Sequence, residues 1–187
     1  MTQIKKTATI VEEMMNSFSG HEPLNPKQLN EDVIVRLEQR LEDEFKAHYF
    51  YMCAGNWCNN QGYINAGTFF LNESNSELQH AKLIQDYLVQ WNIQPTIPTV
   101  ETNFEFESLI QIINQSYELE YDLLLKYAND SQKLILKDIV TFDFLQQFRQ
   151  IQNDSVKEYS DLLNVLRLID YNDRYQLLYF ENNYFKG

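Results

Sequence analysis

At 187 residues, with 44% hydrophobic and 14% aromatic side chains, the chain has material for one domain with a substantial core, which excludes disorder over most of its length. Its formal net charge of −12 argues against nucleic acid and anionic membranes as partners, and for cations. No apolar run approaches the roughly 20 residues of a membrane span, and Lys5 and Lys6 precede no signal-peptide core, so a cytoplasmic protein is expected.

Five glycines and four prolines favour long helices over strands and turns. Residues 1–29 read as an N-terminal extension ahead of a single domain at 30–187. Within the extension, Ile10, Val11, Met14, Met15 and Phe18 have the spacing of a short amphipathic helix, which Gly20, Pro23 and Pro26 end.

The first long helix is expected from Asn30, an N-cap type followed by Glu31 and Asp32, to the stop at Gly62. Its apolar stripe is Leu37, Leu41, Glu44, His48, Tyr51, Gly55 and Cys58. Cys53 and Cys58 are five apart, off a common face, and read as buried reduced thiols. A second helix, about 66–91, carries the stripe Phe70, Glu73, Glu77, His80, Ile84, Tyr87 and Trp91.

Residues 92–107 are breakers and extended residues, too many for a turn between antiparallel helices. A helix of ~26 residues is ~39 Å long, and ~16 extended residues reach over ~50 Å. The segment can therefore run the length of a bundle and start the third helix parallel to the second. That third helix, about 108–129, has the stripe Leu109, Ile113, Ser116, Glu120, Leu123 and Tyr127. The fourth, about 132–169, has Leu145, Phe148, Gln152, Ser155, Tyr159, Leu162, Leu166 and Ile169, and a short fifth helix fits 173–185. The expected fold is all-α, a four-helix bundle with one long crossover and a short C-terminal helix.

Each of the four long stripes carries polar groups: Glu44, Glu77 with His80, Glu120, and Gln152 with Ser155. Unpaired carboxylates cannot share a dry core as anions, and no Lys or Arg lies on these stripes. A pair of cations would resolve the conflict. Hard oxygen ligands plus one imidazole suit iron or manganese better than thiolate-seeking metals. Taken alone, Glu77 and His80 fit a hydrogen-bonded surface pair; the four helices together point to metal. For His48 a core histidine is the simpler reading, and Tyr51 fits core packing as well as it fits chemistry.

In that order and spacing, Glu44 with Tyr51 seven later, Glu77-x-x-His80, Glu120 and Gln152-x-x-Ser155 resemble the ferroxidase pattern of the ferritin family. Residues 41–57, Asp86-Tyr87-Leu88 with Pro98 to Glu101, and Phe144-Leu145-Gln146 also resemble bacterial ferritins, so the likeness spans about 30–185. The resemblance implies iron storage with ferroxidase activity at a di-iron site. Glu44 and His80 would hold one iron, Glu77 would bridge, Glu120 would hold the second, and Gln152 would orient a ligand. Tyr51 would stand beside the site as a hydrogen-bond or one-electron donor. Fe(II) and dioxygen would be the substrates, and the homo-oligomer would be a closed hollow shell of about 24 subunits.

Two departures from the bacterial pattern stand out. Ser155 replaces a frequent glutamate and resembles the animal catalytic chains, which implies a loosely held second iron. Ser76 and Ile151 occupy two positions of a third iron site, leaving Asp154 alone. Met52 is the one methionine beyond the extension and is not on the second helix, so no haem is expected. The stretch holding Asp138 and Asp143 would approach a three-fold pore. No second Glu-x-x-His occurs, which separates the chain from symmetric di-iron oxidases; a non-catalytic shell subunit is the other alternative.

Overall fold

The computed structural model describes residues 29–185. Five helices and no strands occur among the described residues: α1 (Glu31–Gln61), α2 (Ile64–Gln90), α3 (Leu109–Leu134), α4 (Ile139–Leu166) and α5 (Arg174–Tyr184). The amphipathic helix expected before Asn30 lies outside them.

Helix α1 starts without the side-chain cap expected of Asn30; only its backbone carbonyl takes part, accepting from Val33 and Ile34 at 3.0 and 3.1 Å. It stops as anticipated at Gly62, whose φ of +89° is left-handed and suits a residue without a Cβ. The N–H groups of Gly62 and Tyr63 then close on the carbonyls of Asn59 and Cys58. Helix α2 runs back along α1, with His48 and Ser74 in contact, and ends where Asn92 takes a φ of +59°.

The connection from Trp91 to Ser108 is the long crossover. It starts beside the beginning of α1, where the Thr96 N–H donates to Glu38 at 3.1 Å. It finishes beside the far half of α1, with Phe104 and Phe106 edge-on to Phe50 at 5.5 Å and Phe106 against Trp57. Helix α3 therefore descends parallel to α2 and antiparallel to α1, as the pairs Tyr51–Glu120 and Arg36–Asp130 show. Ser108 caps it by accepting from the Gln111 N–H at 3.1 Å, while the Gln111 side chain reaches back to the Glu107 N–H at 2.7 Å, close to a capping box.

The boundary between α3 and α4 differs from the expected one. Asn129, Asp130 and Ser131 read as a break, yet α3 continues to Leu134 and α4 begins only at Ile139. The polar groups are satisfied without leaving the helix. Asp130 pairs with Arg36 at 2.8 Å and Arg40 at 3.5 Å, and the Ser131 hydroxyl donates to the Tyr127 carbonyl at 2.7 Å. The real N-cap of α4 is Asp138, which accepts from the Thr141 N–H and hydroxyl at 3.1 and 2.7 Å. Its carboxylate is thus committed to the cap, whereas Asp143 is exposed.

The core holds Leu37, Leu41, Tyr51, Phe70, Ile84, Ile113, Tyr127, Phe148 and Tyr159, each with almost no exposure. Burying each such side chain contributes roughly 1.5–3 kcal/mol. Beyond α4, Phe185 closes the end of the bundle against Phe69 and Phe70, with Phe180 packed edge-on behind it. Cys58 is buried but Cys53 is only half-buried, which corrects the expectation of two buried thiols; both are free.

Candidate metal centre

The helical periodicity that buries Phe70, Ile84 and Tyr87 on α2 also turns Glu77 and His80 inward, one turn apart. The Glu77 Oε2 lies 3.2 Å from His80 Nδ1, and Glu44 Oε2 on α1 lies 3.6 Å from the same nitrogen. One ligand atom each from Glu44, Glu77 and His80 falls within 4.8 Å of the others. Glu44, Glu77, Glu120 and Gln152 are buried, and His80 is partly so. Ser155 is only half-buried.

Glu120 stands on α3, its Oε1 accepting from the Tyr51 hydroxyl. Glu44 Oε1 accepts from the Tyr127 hydroxyl. The second oxygens of both carboxylates, and both polar atoms of the Gln152 amide, are buried with no partner. A buried polar atom without a partner costs about 1–3 kcal/mol, so four in one core require something to bind. The buried cation nearest in sequence, Arg40, turns away to Asp43 and Asp130.

The electrostatics agree. Burial pushes Glu77 well above the usual carboxylate range, and the charges of Glu44 and Glu120 add to it. Burial also raises Glu120 to about 8, against the Tyr51 hydrogen bond. Glu73, one turn before Glu77, is raised to about 7 by burial and by the charge of Glu158. Burial raises Glu44 too, but the nearby polar groups of His80 and Glu77, the His80 charge and the Tyr127 hydroxyl outweigh it and hold the group low. Desolvation lifts Tyr51, Tyr127 and Tyr159 well above the ordinary phenol range, so all three keep their protons, and Tyr51 and Tyr127 serve as donors.

Divalent or trivalent cations fit this donor set: anionic oxygens, one imidazole, and oxygens already oriented by phenols. His48 is not part of it; its Nδ1 meets the Ser74 carbonyl and hydroxyl at 2.7 and 2.9 Å. Tyr127 and Glu73 were legible as stripe residues only. A second carboxylate-to-tyrosine step of seven, Glu120 to Tyr127, was the available signal for the former.

The family model for the ferritin-like domain matches residues 34–169. The chain belongs to the ferritin family. It is 27% identical over 144 residues to a probable bacterial non-heme ferritin-like protein of Haemophilus influenzae, covering 75% of this chain and 87% of that one. To the bacterial non-heme ferritin of Campylobacter jejuni it is 26% identical over 162 residues, 85% of this chain and 95% of the relative. In three dimensions it is similar to an open-pore ferritin of the hyperthermophilic archaeon Archaeoglobus fulgidus, with a TM-score of 0.79 at 20% identity, covering 85% of this chain and 98% of that one. The ferritin fold thus extends over all four long helices and the crossover. No helix among the described residues is long and apolar enough to cross a membrane.

Proposed function

We propose that this ferritin-family chain is an iron-storage subunit with ferroxidase activity: it takes up Fe(II) at a paired site inside its own bundle, oxidises it with dioxygen, and passes Fe(III) to a mineral in a hollow shell. The observation that carries this reading is the convergence of Glu44, Glu77 and His80 in a buried centre where Glu44, Glu120 and Gln152 retain polar atoms without partners.

In this reading Glu44 and His80 hold one iron, Glu77 bridges, Glu120 holds the second, and the Gln152 amide hydrogen-bonds a ligand there. The iron is the substrate and supplies the redox chemistry with dioxygen; the protein supplies position and charge compensation. Tyr51 fixes one Glu120 oxygen and leaves the other to the metal. A carboxyl such as Glu120, raised to about 8 by burial, gives up its proton as the cation arrives, so uptake and proton release go together.

The shell is a closed homo-oligomer of about 24 copies in this reading. Large apolar side chains left exposed on the single chain support association: Leu136 is 95% exposed, Tyr175 86% and Leu168 83%. A cytoplasmic setting accords with the two free thiols.

The test is to add Fe(II) in air and follow the near-ultraviolet absorbance of Fe(III), comparing the parent with Glu77→Ala. The parent is expected to oxidise iron many times faster than the variant. Equal rates would leave a shell subunit without turnover. Gel filtration giving a monomer or dimer would count against a cage.

A further inference from the structure

Glu44 and Glu120 are held in the same way by opposite helices. Tyr51 on α1 donates to Glu120 Oε1 on α3, and Tyr127 on α3 donates to Glu44 Oε1 on α1. In each helix the tyrosine follows the carboxylate by seven residues, about two turns, so each phenol reaches across to the other helix's acid. In both carboxylates the oxygen left without a partner is Oε2, and that of Glu44 is the one 3.6 Å from His80.

Both rings are clamped. Tyr51 stacks with Phe70 and Tyr159, each at 6.1 Å and within 11° of parallel. Tyr127 stacks with Phe148 at 5.0 Å and 13°, and the Arg40 guanidinium lies 6.0 Å from its centroid. Arg40 is fixed in turn by Asp43 at 3.1 Å and Asp130 at 3.5 Å. A ring so constrained holds its hydroxyl oxygen at the carboxylate it donates to.

We propose that Tyr127 is a positioning residue for the metal centre, the counterpart of Tyr51: it holds Glu44 Oε1 so that Oε2 faces the first cation, and Arg40 with Phe148 holds Tyr127. The inference rests on the metal reading of the centre and deepens it by assigning one phenol to each site. Core packing alone requires an aromatic ring at 127 and is indifferent to its oxygen. Positioning requires the oxygen. Removing a group that orients a ligand typically lowers metal affinity 10- to 100-fold.

The experiment is a titration of the metal-free full chain with Co(II), followed by its visible absorption, with Glu120→Ala used to identify the step that survives loss of the second site. Tyr127→Phe is expected to weaken that surviving step by about 10-fold or more while the other stays within about 2-fold. Tyr51→Phe is expected to do the reverse. Tyr127→Phe removes one oxygen from a ring still held by Phe148 and Arg40, so the bundle persists. First-step affinity unchanged in Tyr127→Phe, or both steps weakened alike by both variants, overturns the assignment. A parent protein that binds no Co(II) overturns the metal reading itself, and this proposal with it; normal binding by the parent beside an unaltered variant removes the tyrosine alone.

Discussion

Glu181 on α5 caps the first turn of α2: its Oε1 accepts from the Asn65 N–H at 2.6 Å and the Ala66 N–H at 3.0 Å, across 116 and 115 residues of sequence. The N-cap residue of α2, Tyr63, makes no side-chain cap bond, so the orphan donors at this end are satisfied from another element. The carboxylate is buried where the helix dipole favours an anion, which couples docking of α5 to the integrity of α2.

Glu181→Ala is expected to destabilise the chain by about 2 kcal/mol, since hydrogen bonds to a charged group contribute roughly 1.5–3 kcal/mol and two donors are left bare. Glu181→Gln, which keeps an acceptor and loses the charge, should cost less. Denaturant midpoints would check both. If Glu181→Ala unfolds at the parent's midpoint, the contact does not hold α5 in place.

The metal-free protein should lose stability as pH rises. Glu120 is raised from 4.5 to about 8 and Glu73 from 4.5 to about 7, each by burial first. Between 4.5 and 8 the folded state therefore binds more protons than the unfolded one, and the free energy of unfolding falls with increasing pH. Glu44, held low, acts oppositely, and its contribution is lost only as pH falls toward its depressed value. The net expectation is a decline of a few kcal/mol from about pH 5 to pH 8, reduced in part by Glu120→Gln, since Glu73 and Glu77 still contribute, and reduced further by saturating divalent cation. Chemical denaturation of chelator-treated protein across that range tests it; stability that climbs from pH 5 to 8 would contradict the assignment.

The burial of most residues of the candidate site was legible because a single period governs it. All six residues of the α3 stripe, Leu109 to Tyr127, are buried, and so is Gln152 on α4, since side chains three and four apart share a helix face whatever their polarity. The crossover followed from chain length alone. The missed features depend on partners distant in sequence. Asp130 reads as a breaker until Arg36, 94 residues away, is placed beside it. The Tyr127 phenol looks like packing until the antiparallel pairing of α1 and α3 sets it against Glu44. Asn30 is the opposite case: a favourable cap residue whose side chain goes unused.

Gly55 marks a close approach of α1 and α2. A Cβ there would lie 2.7 Å from the Leu71 Cγ and 3.0 Å from the Gly67 carbonyl oxygen. Gly55→Ala gains up to about 1 kcal/mol in helix propensity. Forcing the helices apart costs about 1–3 kcal/mol, because neither a backbone oxygen nor a branched Cγ can step aside. Packing should win, with a net loss of about 1 kcal/mol. A lower thermal midpoint for Gly55→Ala would agree, and a raised one would mean the interface is looser than these distances imply.

In the proposed paired-iron reading, Ser155 sets the strength of the second site. It stands three residues after Gln152, half-buried, and offers at most a neutral hydroxyl, while the amide before it is neutral with both polar atoms unpartnered. On that reading the first cation would meet Glu44, Glu77 and His80, and the second would meet the remaining oxygen of Glu120 and share Glu77, with no further anion from α4. Hard cations bind more weakly as the number of anionic ligands falls. Anaerobic Fe(II) titration of the parent should therefore show one tight and one weak equivalent per chain. Ser155→Glu, by adding a carboxylate on the inward face of α4, should tighten the weak step by an order of magnitude or more and leave the first nearly unchanged. Two equally tight equivalents in the parent, or a variant whose weak step does not move, would show that α4 does not control the second site.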